Sequence, residues 1–169
     1  MQAIGAALLV LVVAARGCND AADSDVDNHS PDLGLPKVPC PRSTPEFVAT
    51  PSAGLEAIGR DSSLVTAKLI DADYSPPRIY RNDWTILFSD ADGEPLDDIA
   101  ITKAEPYMPV HGHDGGFPPK IMKLKEPGVV FFQDINLKMG GPWEVRFWVE
   151  SEQAGGADYI VFDVCVNDD

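Results

Sequence analysis

An all-β fold, an immunoglobulin-like antiparallel β-sandwich of about seven strands, is predicted by three observations. Apolar, β-branched and aromatic runs recur at short intervals from about Cys40 onward. Turn signals stand between them: Pro76-Pro77, Pro127-Gly128, Gly140-Gly141-Pro142 and Gly155-Gly156. No window of eleven or more residues sustains the 3.6-residue period of an amphipathic helix. With 15 Pro and 14 Gly in 169 residues, frequent chain reversal favours strands over helix bundles.

The strands follow in order. Leu64 to Ala72 alternates, with Val65, Ala67 and Leu69 on one face. Trp84 to Ser89 comes next, closed by the turn Asp90-Ala91-Asp92-Gly93. That turn resembles the start of a calcium loop, but Ile101 falls where the bidentate Glu would stand, so it reads as a hairpin turn. Ile99–Ala104, Ile121–Lys125, Val129–Lys138, Trp143–Glu150 and Tyr159–Val166 complete the set. In the last run Ile160, Phe162, Val164 and Val166 face the core, which turns Cys165 outward or towards an edge. Asp71 and Asp73 share a strand face and read as solvated.

Before the domain lies an export signal over residues 1–17. Ile4 to Ala15 is an apolar run of twelve residues, too short to span a bilayer as a mature helix. The sequence Ala15-Arg16-Gly17-Cys18 that ends it resembles the lipobox of bacterial lipoproteins, with Ala15 where Leu is usual. The resemblance implies lipidation of Cys18 and a membrane anchor; the alternative is ordinary secretion with Cys18 as a free thiol. Residues 18–39 read as an acidic flexible tether, since Asn19 to Asp32 carries five Asp and no Lys, Arg or aromatic residue. His29, inside it, reads as a solvated linker residue. With Cys18 lipidated, Cys40 and Cys165 remain as an even pair in an oxidising compartment. A disulfide between them would contribute roughly 4–5 kcal/mol in the chain-entropy model. The outward parity of Cys165 favours a bridge that pins the N-terminal segment to the rim of the domain, residues 40–169.

Charge and motifs exclude several function classes. Thirteen Lys and Arg against 27 Asp and Glu give a net charge of −14, which repels phosphate backbones and excludes nucleic acid as a partner. Gly-x-Ser-x-Gly, His-Glu-x-x-His, Cys-x-x-Cys and phosphate-cradling glycine loops are all missing from the sequence. The chain does not read as an enzyme.

One loop carries chemistry. Between Ala104 and Lys120, Met108, His111 and His113 fall within six residues among Gly and Pro. In extended backbone His111 and His113 point the same way. Imidazoles bind borderline metals and a thioether adds preference for Cu(I). If Ile99–Ala104, Ile121–Lys125 and Val129–Lys138 alternate in direction, the loop and the Met139-Gly140-Gly141-Pro142-Trp143 turn share one end of the sandwich. Met108, His111, His113 and Met139 are then candidate ligands of a copper ion. The plain alternative is a proline-braced loop with methionines packed beneath it. Met122 is a weaker candidate, expected as a packed core residue.

Met108-Pro109-Val110-His111-Gly112-His113, followed by Met139-Gly140-Gly141-Pro142-Trp143, resembles the YtkA-like family, which is related to the FixH-like proteins. That family pairs a Met-Pro-x-x-x-His loop with a later Met-x-Gly-x-Trp turn on a small sandwich. The likeness covers about Trp84 to Glu150, with Leu137 where an aromatic is common. It implies an exported or membrane-anchored bacterial envelope protein facing the periplasm or exterior, in a family partly associated with copper handling. The expected function is copper binding for transfer or storage, with a metal-receiving or envelope protein as partner. The alternative is a structural or protein-interaction module without metal.

Overall fold

Alternation of apolar and polar residues builds nine strands among the residues described by the computed structural model, 36–52 and 54–167. They are β1 Glu56–Ile58, β2 Val65–Ala72, β3 Tyr80–Asp90, β4 Ala100–Met108, β5 His113–Asp114, β6 Lys120–Lys123, β7 Val129–Leu137, β8 Gly141–Ser151 and β9 Gly156–Val166. Two sheets form, ordered β1-β2-β3-β7-β6 and β5-β4-β8-β9, and every pairing is antiparallel. The export signal, Cys18, His29 and the tether as far as residue 35 lie outside the described residues.

The expected sandwich is therefore the observed one. Its seven long or medium strands overlap the seven predicted runs, while β1 and β5, three and two residues long, were not foreseen. Val65, Ala67 and Leu69 face inward from β2, and Trp84, Ile86 and Phe88 from β3. Phe132 and Phe147 meet across the two sheets at 4.6 Å between ring centroids. Phe88 lies edge-on to both, and Phe162 packs edge-on to Phe147 and Trp84. Each fully buried aromatic ring contributes about 2–3 kcal/mol by leaving water. In β9 the inward set is Ile160, Phe162, Val164 and Val166, as its parity requires, with Val161 also covered.

Three expectations need correction. β4 starts at Ala100 and continues to Met108, so residues 105–108 are strand rather than loop. β6 does not return beside β4; the chain crosses over residues 115–119 and β6 pairs with β7 in the other sheet. Met122 is consequently no core residue: it is 42% exposed on an edge strand with both faces open.

Cys40 and Cys165 are disulfide-bonded, with Cα atoms 5.7 Å apart. The bond places the domain in an oxidising, extracytoplasmic compartment. Cys165 stands opposite Pro142 in the β8–β9 register, so the bridge lies at the rim end of both strands. It brings the segment before Cys40 onto the domain, and residues 36–39, expected as tether, lie against the rim. Gly141, at φ 120°, accommodates this contact, because a Cβ there would fall 2.9 Å from the Val38 carbonyl oxygen and 2.8 Å from the Met108 methyl.

Near the other end of β9, Asp158 organises the turn before β2. Its carboxylate is 3% exposed by residue and accepts backbone N–H bonds from Asp61, Ser62, Leu64, Val65 and Tyr159. Gly59 has no side chain because a Cβ would collide with that carboxylate. Burial alone would raise the Asp158 pKa, but the N–H donors of Tyr159, Val65, Leu64 and Ser62 outweigh it and hold the group below its ordinary value. A lowered folded-state pKa means that the stabilisation is complete above the unfolded value of about 3.9 and fades as pH falls through the folded one. Asp158→Asn, which sets an NH2 against backbone donors, should lower unfolding free energy by about 2–3 kcal/mol at pH 7. Urea titrations of both proteins should show the gap narrowing below about pH 4; a constant gap down to pH 3 would contradict this role.

Candidate metal-binding rim

The rim is assembled by two chain reversals at one end of the sandwich. β4 ends at Met108, and the chain turns through Pro109–Gly112, where the N–H groups of His111 and Gly112 donate to the Met108 carbonyl. Gly112 takes φ 69°, a conformation that suits glycine in a tight turn. β5 then returns with Met108 opposite His113 and Tyr107 opposite Asp114. His111 therefore sits in the turn and His113 on the strand, with ring centroids 5.8 Å apart.

The loop is fastened below. The Gly115 N–H donates to the Pro106 carbonyl at 2.9 Å, and the Asn136 side-chain amide donates to the Gly115 carbonyl at 2.6 Å. The second reversal carries the chain from β7 to β8 through Lys138–Gly140. Trp143 is buried there, and its indole N–H donates to the Met139 carbonyl at 2.9 Å. The His113 ring packs edge-on to Trp143 at 5.7 Å.

The expected convergence of loop and turn is present: His111 Nδ1 lies 3.2 Å from Met139 Sδ. The remaining bonds assign the protons. His111 Nε2 is 3.1 Å from the Pro36 carbonyl oxygen, which only accepts, so Nε2 carries the hydrogen in the neutral ring. The reverse tautomer would set two lone pairs against each other. Nδ1 thus presents a lone pair to the thioether. His113 Nδ1 is 3.0 Å from the Asp114 carbonyl oxygen and donates to it in the same way. His113 Nε2 is left bare, buried and without a hydrogen-bond partner.

Met108 differs from the other three. Its side chain is fully buried in the core, on the same sheet face as His113, and forms the floor of the rim rather than part of its open edge. Among the described residues no three His, Cys, Asp or Glu side chains converge as a metal-holding group. A metal on this rim would rest on two imidazoles and thioether sulfur. Sequence reasoning missed Pro36, whose contribution is a backbone carbonyl and leaves no side-chain signal. It also missed Gly115 and Asn136, which hold the loop. No family model, curated protein or solved structure matches this chain.

The proton assignment is directly measurable. Long-range 1H–15N spectra of the metal-free protein at mildly alkaline pH should show His111 as the Nε2–H tautomer and His113 as the Nδ1–H tautomer. The same tautomer at both rings would refute the geometry. Gly115→Ala should cost about 1–3 kcal/mol in urea unfolding, because its Cβ would collide with the Asn136 carbonyl and the Pro106 ring.

Proposed function

We propose that this chain is an envelope lipoprotein, anchored through Cys18, whose YtkA-like sandwich binds a copper ion at the rim for transfer or storage. The observation that carries the reading is the pair of imidazoles whose N–H groups are taken up by carbonyls. That leaves His111 Nδ1 and His113 Nε2 as bare donors, one of them beside Met139 Sδ. A ligating histidine ordinarily gives its second N–H to a carbonyl or carboxylate, which fixes the tautomer and orients the ring. Ligands bound about 2.0–2.3 Å from one tetrahedral ion stand about 3.5 Å apart. The 3.2 Å separation of Nδ1 and Sδ needs little adjustment to meet that. Imidazole with thioether is a soft set that favours Cu(I), and the Met108 side chain is buried in the core on the sheet face of His113. The role is non-catalytic, and the partner is a protein that gives or takes the metal.

A second reading has one observation behind it. Val110, at the tip of the loop, is 56% exposed, an apolar point suited to a protein contact. In that reading the rim is a non-catalytic interaction surface and holds no metal.

Titration of the Cys18→Ser chain with Cu(I) against a chromophoric chelator at neutral pH separates the two. The copper reading expects 1:1 binding of sub-micromolar affinity, lost when His111→Ala and His113→Ala are combined while the circular dichroism is unchanged. Affinity unaltered in the double variant would refute it, and an absence of competition by the parent would favour the interaction module.

A further inference from the structure

We infer that residues 36–40 form a strap, held closed by the Cys40–Cys165 disulfide, that sets the metal affinity of the rim by fixing His111. This rests on the copper reading and names the element on which that site depends. Cys40, Val38 and Pro36 each hold the strap to the domain. Cys40 is bonded to Cys165, opposite Pro142 at the rim end of β8. The Val38 backbone runs so close to Gly141 that no Cβ is accommodated between them. The Pro36 carbonyl oxygen stands 3.1 Å from His111 Nε2.

Each attachment acts on the next. Pro36 and Pro39 restrict the backbone on either side of Lys37 and Val38, so the segment is a stiff connector. With its end bonded to β9, the carbonyl four residues earlier is delivered to one ring nitrogen of His111. That contact keeps the proton on Nε2, leaves Nδ1 bare towards Met139, and limits rotation of the imidazole. Without the disulfide the Cys40 end is tied to the domain only through the irregular chain leading to β1, and the position of the Pro36 carbonyl is no longer fixed. His111 must then select its binding tautomer and rotamer as the metal arrives. Removing an outer partner of a ligating group typically weakens metal binding by about 10–100-fold. The rim is accordingly complete only in the disulfide-bonded chain, the form that an oxidising compartment maintains.

The test uses the full-length chain in detergent, with Cys18→Ser throughout, because a free thiol would itself bind Cu(I). Three proteins are compared by chelator competition: the disulfide-bonded parent, Cys40→Ala combined with Cys165→Ala, and a variant with two glycines inserted between Val38 and Pro39. The insertion keeps the disulfide but moves Pro36 away from His111, so it carries the test if the cysteine variant fails to fold. Both variants should bind Cu(I) about 10–100-fold more weakly than the parent. Parent-like affinity in a folded variant of either kind would overturn the strap. Should the parent itself bind no Cu(I), the copper reading falls, and the strap is judged by the His111 tautomer. In that case, loss of the Nε2–H preference in the insertion variant upholds it and retention overturns it.

Discussion

Contact between Phe132 and Phe147 across the two sheets is the constraint on which the rim depends. Phe132 belongs to β7 and Phe147 to β8, strands that are consecutive in the chain but lie in opposite sheets. Packed sheets stand about 10 Å apart. The connection from Leu137 to Gly141 leaves only residues 138–140 to cover that distance, and each extended residue covers at most about 3.3–3.6 Å. The crossing has only a few ångströms to spare and bends at Met139 and Gly140, so Met139 keeps a narrow range of positions. Trp143 completes the arrangement by burying its ring beneath the turn and donating to the Met139 carbonyl. Aromatic packing deep in the sandwich thus places a thioether at its end.

The reversal from β4 to β5 obeys a different constraint. β4 and β5 remain in one sheet, and their turn is short because His113 must pair with Met108. The loop is tied by hydrogen bonds rather than by reach: Gly115 to Pro106 on β4, and Asn136 on β7 to Gly115. These ties span both sheets, so the loop moves with the sandwich as a whole. Histidines on a free loop would lose more entropy on binding an ion than histidines held this way.

Legibility in the sequence followed the length and burial of each element. β2, β8 and β9 have one face in the core, and their alternation could be read directly, down to the outward parity of Cys165. The meeting of the loop with the Met139 turn was also legible, since it follows from strand direction, and it holds although β4 and β6 lie in different sheets. β1 and β5 are too short to show a period. The second half of β4 was hidden by Pro106, which reads as a strand breaker. It is tolerated because β5 pairs only with Tyr107 and Met108, leaving Pro106 without a β5 ladder partner. Met122 misled for the opposite reason: β6 is an edge strand with both faces in water, where an apolar residue carries no information about the core. The Pro36 carbonyl could not have been found, because every residue carries one and only the fold says which is aimed at a ring nitrogen.

The bare nitrogens on the rim also carry a cost. A buried polar atom without a partner typically costs about 1–3 kcal/mol, and His113 Nε2 is in that position. Trp84 Nε1 and Asn136 Oδ1 are likewise unpartnered, but Asn136 bonds through its amide hydrogens and Trp84 belongs to the aromatic core. At His113 the unpartnered atom is a basic lone pair, beside a second imidazole whose own lone pair faces a sulfur. An N–H at His111 Nδ1 would face a thioether, which is a weak acceptor. In the proposed reading, a soft cation would find the His111 nitrogen and the Met139 sulfur already side by side. A metal held there would compete with protons for the same lone pairs, so its binding would weaken as pH falls. The carbonyls of Pro36 and Asp114 hold each ring in the tautomer that a ligand would require.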